Sequence, residues 1–140
     1  MTNTQASKTL THAGTLTMLQ AASAKADAMG QPQCIVIVDA SGEVLGELKM
    51  TGAKFLSRKS ARAKALTAAA TSKPSASVPE AARVVMGMAT EGNITGLSGG
   101  LPIFVDGFLV GGIGVGSGTG EQDIEVAEAA LAAISATSAN

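Results

Sequence analysis

The sequence predicts an α+β domain built on an antiparallel sheet. Two strand pairs, each joined by a short turn, carry that expectation, together with helical stretches placed before, between and after them. Strand pairs closed by tight turns pair antiparallel, and runs of strands separated by helices favour α+β over a parallel α/β sheet. With 140 residues, one domain can bury roughly 70% of its unfolded surface.

In chain order, residues 1–8 form a polar tail expected to be flexible, and residues 9–137 form the single domain. Leu10 to Met29 reads as a helix stopped by Gly30 and Pro32, with His12, Leu16, Leu19, Ala22, Ala26 and Met29 on one arc. Cys34 to Val38 is a β-branched run. The turn Asp39-Ala40-Ser41-Gly42 returns the chain along Glu43 to Met50, a hairpin. A basic helix follows from Lys54 to Ala70. After a Pro/Ser-rich connection, Ser77 and Glu80 have capping-box spacing and predict a short helix to Met88. The apolar runs Leu101–Val105 and Phe108–Val115 flank Asp106-Gly107, a dipeptide suited to the positive φ angles of a type I′ turn. Thr119 and Gln122 form a second capping box, opening a helix from Ile124 to Ile134.

Composition narrows the function. The chain is 46% hydrophobic and 15% charged, with net charge −1 and no Trp or Tyr. Near-neutral charge and missing stacking platforms argue against nucleic-acid binding. No stretch approaches the ~20 apolar residues of a membrane helix. The N-terminal MTNTQASKTLTHAG lacks the pattern of a secretory leader, and a lone cysteine fits a reducing compartment, so a cytoplasmic protein is expected. Small residues along helices and strands predict a homo-oligomer, a dimer or larger.

Four glycines alternate in Gly112-Ile113-Gly114-Val115-Gly116-Ser117-Gly118. No window gives G-x-G-x-x-G and no G-K-[ST] follows, so a dinucleotide or phosphate loop is disfavoured. A strand so poor in side chains lets a neighbouring backbone, another subunit or a flat ligand approach closely.

Five of the ten Lys and Arg residues lie in the basic helix: Lys54, Arg58, Lys59, Arg62 and Lys64. An apolar arc through Phe55, Leu56, Ala63, Leu66 and Ala70 would place Lys59 near its centre and Arg62 at its edge. A lysine there snorkels, pairs with an acid or faces an anionic ligand. His12, the only imidazole, is expected to point inward, either as a satisfied core residue or as an axial ligand to a bound metal centre. No metal site proper is expected. Cys34 reads as a small core residue. Asp39 and Asp106 serve turns, and Glu91 is the least explained acid. A ligand site is expected between the basic helix and the Glu91–Gly100 loop, beside the glycine-rich hairpin.

The chain resembles the GlcG/HbpS family, which includes the C-terminal domain of PduO-type proteins. The matching segments are Val38-Asp39-Ala40-Ser41-Gly42, Lys64-Ala65-Leu66-Thr67-Ala68-Ala69 and Gly99-Gly100-Leu101-Pro102-Ile103 with Asp106-Gly107. Gly111-Gly112-Ile113-Gly114-Val115 and Gln122-Asp123 with Val126-Ala127 follow in the same order. The resemblance implies a profilin-like fold with a central antiparallel sheet of about five strands, homo-oligomeric assembly and haem binding. His12 is not carried over as a ligand by correspondence, and Ser98 stands where relatives often carry an acid. Haem or a related flat anionic cofactor is therefore the expected ligand, held by His12, Lys59, Arg62, Gly99 and Gly100. A cofactor-free enzyme acting on a small carbonyl or carboxylate metabolite is the alternative. Lys59, Lys64 and Arg62 would then stabilise an oxyanion, and Glu91 or Asp39 would move a proton.

Overall fold

The computed structural model describes residues 1–140. Helix α1 (His12–Met29) precedes strands β1 (Cys34–Asp39) and β2 (Val44–Lys49), then α2 (Ser57–Thr71) and α3 (Arg83–Ala89). Strands β3 (Gly100–Val105) and β4 (Phe108–Gly116) and helix α4 (Gly120–Ala133) complete the chain. The sheet is antiparallel with order β2-β1-β4-β3. It has four strands where the family resemblance implied about five. The segments between α2 and β3 are 3-10 turns, α3 and loop.

The Asp106-Gly107 turn has φ of 51° and 82°, the doubly positive geometry of type I′. The Thr119 capping box forms, with Gln122 N donating to Thr119 Oγ1 and Thr119 N donating to Gln122 Oε1. The Ser77 box does not form. Pro79 at the intended first turn is followed by a 3-10 turn at Glu80–Ala82, and α3 begins only at Arg83. The serine that matters in this connection is Ser75. Its buried hydroxyl donates to Leu97 O and accepts from Gly100 N, pinning the connection to β3.

Alternation along the strands makes two different faces. Ile35, Ile37, Leu101, Ile103, Ile113 and Val115 pack with Met18, Ala22 and Ala26 of α1 and with Val126, Ala127, Ala130 and Leu131 of α4. On the opposite face, Cys34, Val36 and Val38 meet Ala61, Ala65 and Ala69 of α2. The register sets Gly116, Gly114 and Gly112 beside Cys34, Val36 and Val38. A Cβ on Gly114 would overlap the Ala61 carbonyl, and one on Gly112 the Ala65 carbonyl. The alternating glycines are therefore a groove for this chain's own α2 helix, whose alanines recur every four residues on one face.

That groove corrects the phase of α2 read from sequence, and two positions of α1 also differ from the expected arc. In α2 the inward ridge is Ala61, Ala65, Ala68 and Ala69, whereas Phe55, Leu56, Lys59, Arg62 and Ala70 are exposed. Glycine leaves room only for alanine at the closest approach, so the large apolar residues are displaced outward. In α1 the buried positions are Thr15, Met18, Ala22 and Ala26, which leaves His12 and Leu16 exposed.

Candidate functional site

Helix α2 carries the chain's densest positive charge, and its first three turns present two unlike surfaces. On the flank toward β2 lies a groove of about 350 Å³, lined by Glu47, Phe55, Leu56, Arg58, Lys59 and Arg62. Phe55 and Leu56 are 72% and 65% exposed, a large apolar area for two adjacent residues. Arg58 Nε donates to Glu47 Oε1 at 2.9 Å, and this bond holds the Arg58 guanidinium in its charged form above the usual range. Lys59 and Arg62 make no ion pair within the chain.

On the other flank a cavity of about 290 Å³ opens between α2, the Leu97–Ser98 segment, the Ser117-Gly118 turn and the start of α4. Lys64, only 5% exposed, stands at this cavity and donates to Val115 O at 2.8 Å and to Asp123 Oδ2 at 3.0 Å. Asp123, 2% exposed, also accepts from Gly118 N at 3.1 Å. Each charge is thus compensated and hydrogen-bonded, the condition under which a buried pair persists.

The candidate residues separate into groups. Lys59 and Arg62 share the groove with Phe55 and Leu56 and project outward, not toward the sheet. Lys64 faces the polar cavity. Gly99 and Gly100 are buried against Lys64: a Cβ on Gly99 would lie 2.6 Å from Val115 O and 3.0 Å from Lys64 Nζ, and one on Gly100 would overlap the Lys64 carbonyl. They make room for α2 and line neither surface. His12 opens α1, which packs on the sheet face opposite α2, so it cannot share a same-chain site with Lys59. The Asp39 carboxylate accepts from the amides of Ser41 and Glu43 and serves its turn. Glu91 is exposed after α3, with φ of 56°. No main cavity holds two of Lys59, Lys64, Glu91 and Asp39. An acid–base site using them together has no common pocket.

Burial pushes the Cys34 thiol up, against the smaller opposing pull of Lys49 and Arg58, which suits a core residue rather than a nucleophile. No cluster of three or more His, Cys, Asp or Glu side chains could hold a metal ion. No helix is long and apolar enough to cross a membrane.

Sequence reasoning missed Asp123 as the partner of Lys64, and with it the serines of the polar cavity. The available signal was the glycine strand. Three alternate glycines demand a partner helix with small residues four apart, which selects Ala61, Ala65 and Ala69 and turns Lys64 inward.

Comparison with known proteins agrees with this architecture. Residues 10–132 match the family described as "Haem degrading protein HbpS-like". The chain is 34% identical over 122 residues to the corrinoid adenosyltransferase PduO of Citrobacter freundii; the match covers 84% of this chain and 36% of that protein. It thus spans about a third of the length of that relative. Among solved structures, the PduOC:heme complex superposes with TM-score 0.88 at 27% identity, covering 95% of this chain and all of the other. Klebsiella pneumoniae protein ORFY gives TM-score 0.90 at 27% identity, with 98% of each chain covered. The α+β fold, its glycine groove and these matches lead to one conclusion: the chain belongs to the HbpS-like family.

Proposed function

We propose that this protein binds haem, or a related flat anionic cofactor, on the Phe55–Arg62 flank of α2. The observation that carries this reading is the exposed Phe55-Leu56 pair set beside Lys59 and Arg62, two cations with no acid partner. A flat apolar ring with two carboxylates needs that combination: an apolar surface to cover one face and guanidinium or ammonium groups for the propionates. The largest main cavity, about 430 Å³ between Ala40, Leu66, Ala69 and Ile94, has no charged lining residue and offers the propionates nothing. The solved PduOC:heme complex supports the ligand class by likeness.

The groove is open, so a second copy of the chain is proposed to cover the ring's other face. His12 reaches such a ring only from that second copy. Bound haem supplies a redox-active iron; this chain's residues supply the apolar platform and the charge pairing.

Haemin titration tests the reading directly, since a chain without Trp or Tyr absorbs little near 280 nm. A saturable Soret shift is expected, with Lys59→Ala and Arg62→Ala each weakening binding about tenfold, the loss of one charge-assisted hydrogen bond. Absence of a saturable shift, or unchanged affinity in both variants, would overturn the assignment.

A further inference from the structure

We propose that the polar cavity on the other flank of α2 is a second binding site, for a small monocarboxylate that also carries a hydroxyl group. Nothing in this proposal depends on haem.

The cavity brings together Lys54, Lys64, Asp123 and the hydroxyls of Ser57, Ser98 and Ser117 in about 290 Å³. That is near the lower limit of small-molecule pockets, too small for a macrocycle and ample for a few-carbon acid. Its charge is one net positive: Lys64 is balanced by Asp123, and Lys54 has no ion-pair partner. Glu121, in the same first turn of α4 as Asp123, disfavours a dianion and leaves a singly charged carboxylate as the best match.

Donors are arranged for such a ligand. An ammonium has three N–H groups, and Lys64 spends two within the chain. Ser117 accepts from Lys54 N, which leaves its own O–H to give, and the hydroxyls of Ser57 and Ser98 make no bond within the chain. Two further features set this corner apart from ordinary surface. Ser117 holds φ of 94°, a backbone state that costs a non-glycine residue on the order of 1–3 kcal/mol and concentrates at functional sites. Gln33 is fully buried, and neither its Nε2 nor its Oε1 is bonded. It sits against Gly118 of the cavity wall, where a Cβ would lie 2.8 Å from Nε2. Orphaned buried amides are rare in native proteins.

The test is a ¹⁵N-edited NMR titration of the whole chain with sodium lactate, sodium phosphate and glycerol at fixed ionic strength. Lactate should shift the amides of Ser57, Gly118 and Gly120 saturably, and more tightly than phosphate, while glycerol leaves them in place. Lys54→Ala should weaken lactate binding about tenfold, and Ser98→Leu, which fills the cavity, should abolish it while the haemin response persists. If Ser98→Leu fails to fold, the exposed Lys54→Ala decides alone. Non-saturable shifts, an equal response to glycerol, tighter binding of phosphate, or unchanged affinity in Lys54→Ala would each overturn the proposal.

Discussion

Asp123 is one residue on which stability turns. Replacing it with Ala strips the Lys64 ammonium of its counter-charge in a site only 5% exposed. Breaking a buried pair from one side costs about 3–5 kcal/mol. Chemical denaturation of Asp123→Ala should show a loss of that size, and pairing it with Lys64→Met should recover most of it. Recovery is the diagnostic outcome, because it separates an unpaired charge from a damaged helix start. Gly114 is the steric counterpart. Its φ is unremarkable, yet a single methyl there meets the Ala61 carbonyl. Gly114→Ala should therefore destabilise by more than about 3 kcal/mol or prevent folding, and Ala61→Gly should not rescue it, since the clash is with backbone.

Among the elements, the β3–β4 hairpin was fully legible in the sequence and helix α2 only partly so. The hairpin is specified locally: Asp106-Gly107 sets the turn, and apolar runs on both sides set the strands. The inward face of α2 is specified by a strand some fifty residues away. Taken alone, Phe55 and Leu56 look like core alongside Ala63 and Leu66, which do pack inward, and Lys59 falls among them; once the glycines of β4 are the partner, alanines win the interior and Lys64 goes with them. In α1 the arc held for Leu19, Ala22, Ala26 and Met29 and missed at His12 and Leu16, because Thr15 buries its methyl beside Gly46 and polar residues are discounted in an apolar arc. The hairpin also makes a pH prediction. Lys8 donates to the Asp106 carboxylate at 2.5 Å and holds its pKa below the usual 3.8. The folded value is the lower one, so the pair's contribution is fully present above the unfolded value and is lost as pH falls through the folded one. Both groups are solvent-accessible, which keeps the effect small. Asp106→Asn preserves the positive φ; its melting temperature should fall slightly below that of the parent at pH 7 and converge with it in acid, once Asp106 is protonated.

For the whole molecule, exposed apolar side chains lie on several elements, Leu16, Phe55, Leu56 and Leu97 among them, and three of them share the short helix α3. Val84, Val85 and Met88 of α3 are 73%, 68% and 77% exposed, on a helix with no buried residue. From such a face in a chain of net charge −1 we predict self-assembly. Sedimentation should give a species larger than the 13.8 kDa chain, and Val85→Asp with Met88→Asp should shift it toward the monomer without changing the fold. A lone 13.8 kDa species from the parent at micromolar concentration would refute assembly. Helix α2, meanwhile, is locked like a key in a slot. Its alanines sit over missing side chains, and sliding it by one residue would bring Arg62 and Leu66 to the places Ala61 and Ala65 hold against the glycines. A partition that cannot slide transmits little from one side to the other. Occupants of its two flanks should therefore bind additively: saturating one site should leave the affinity of the other within about twofold, a coupling near zero.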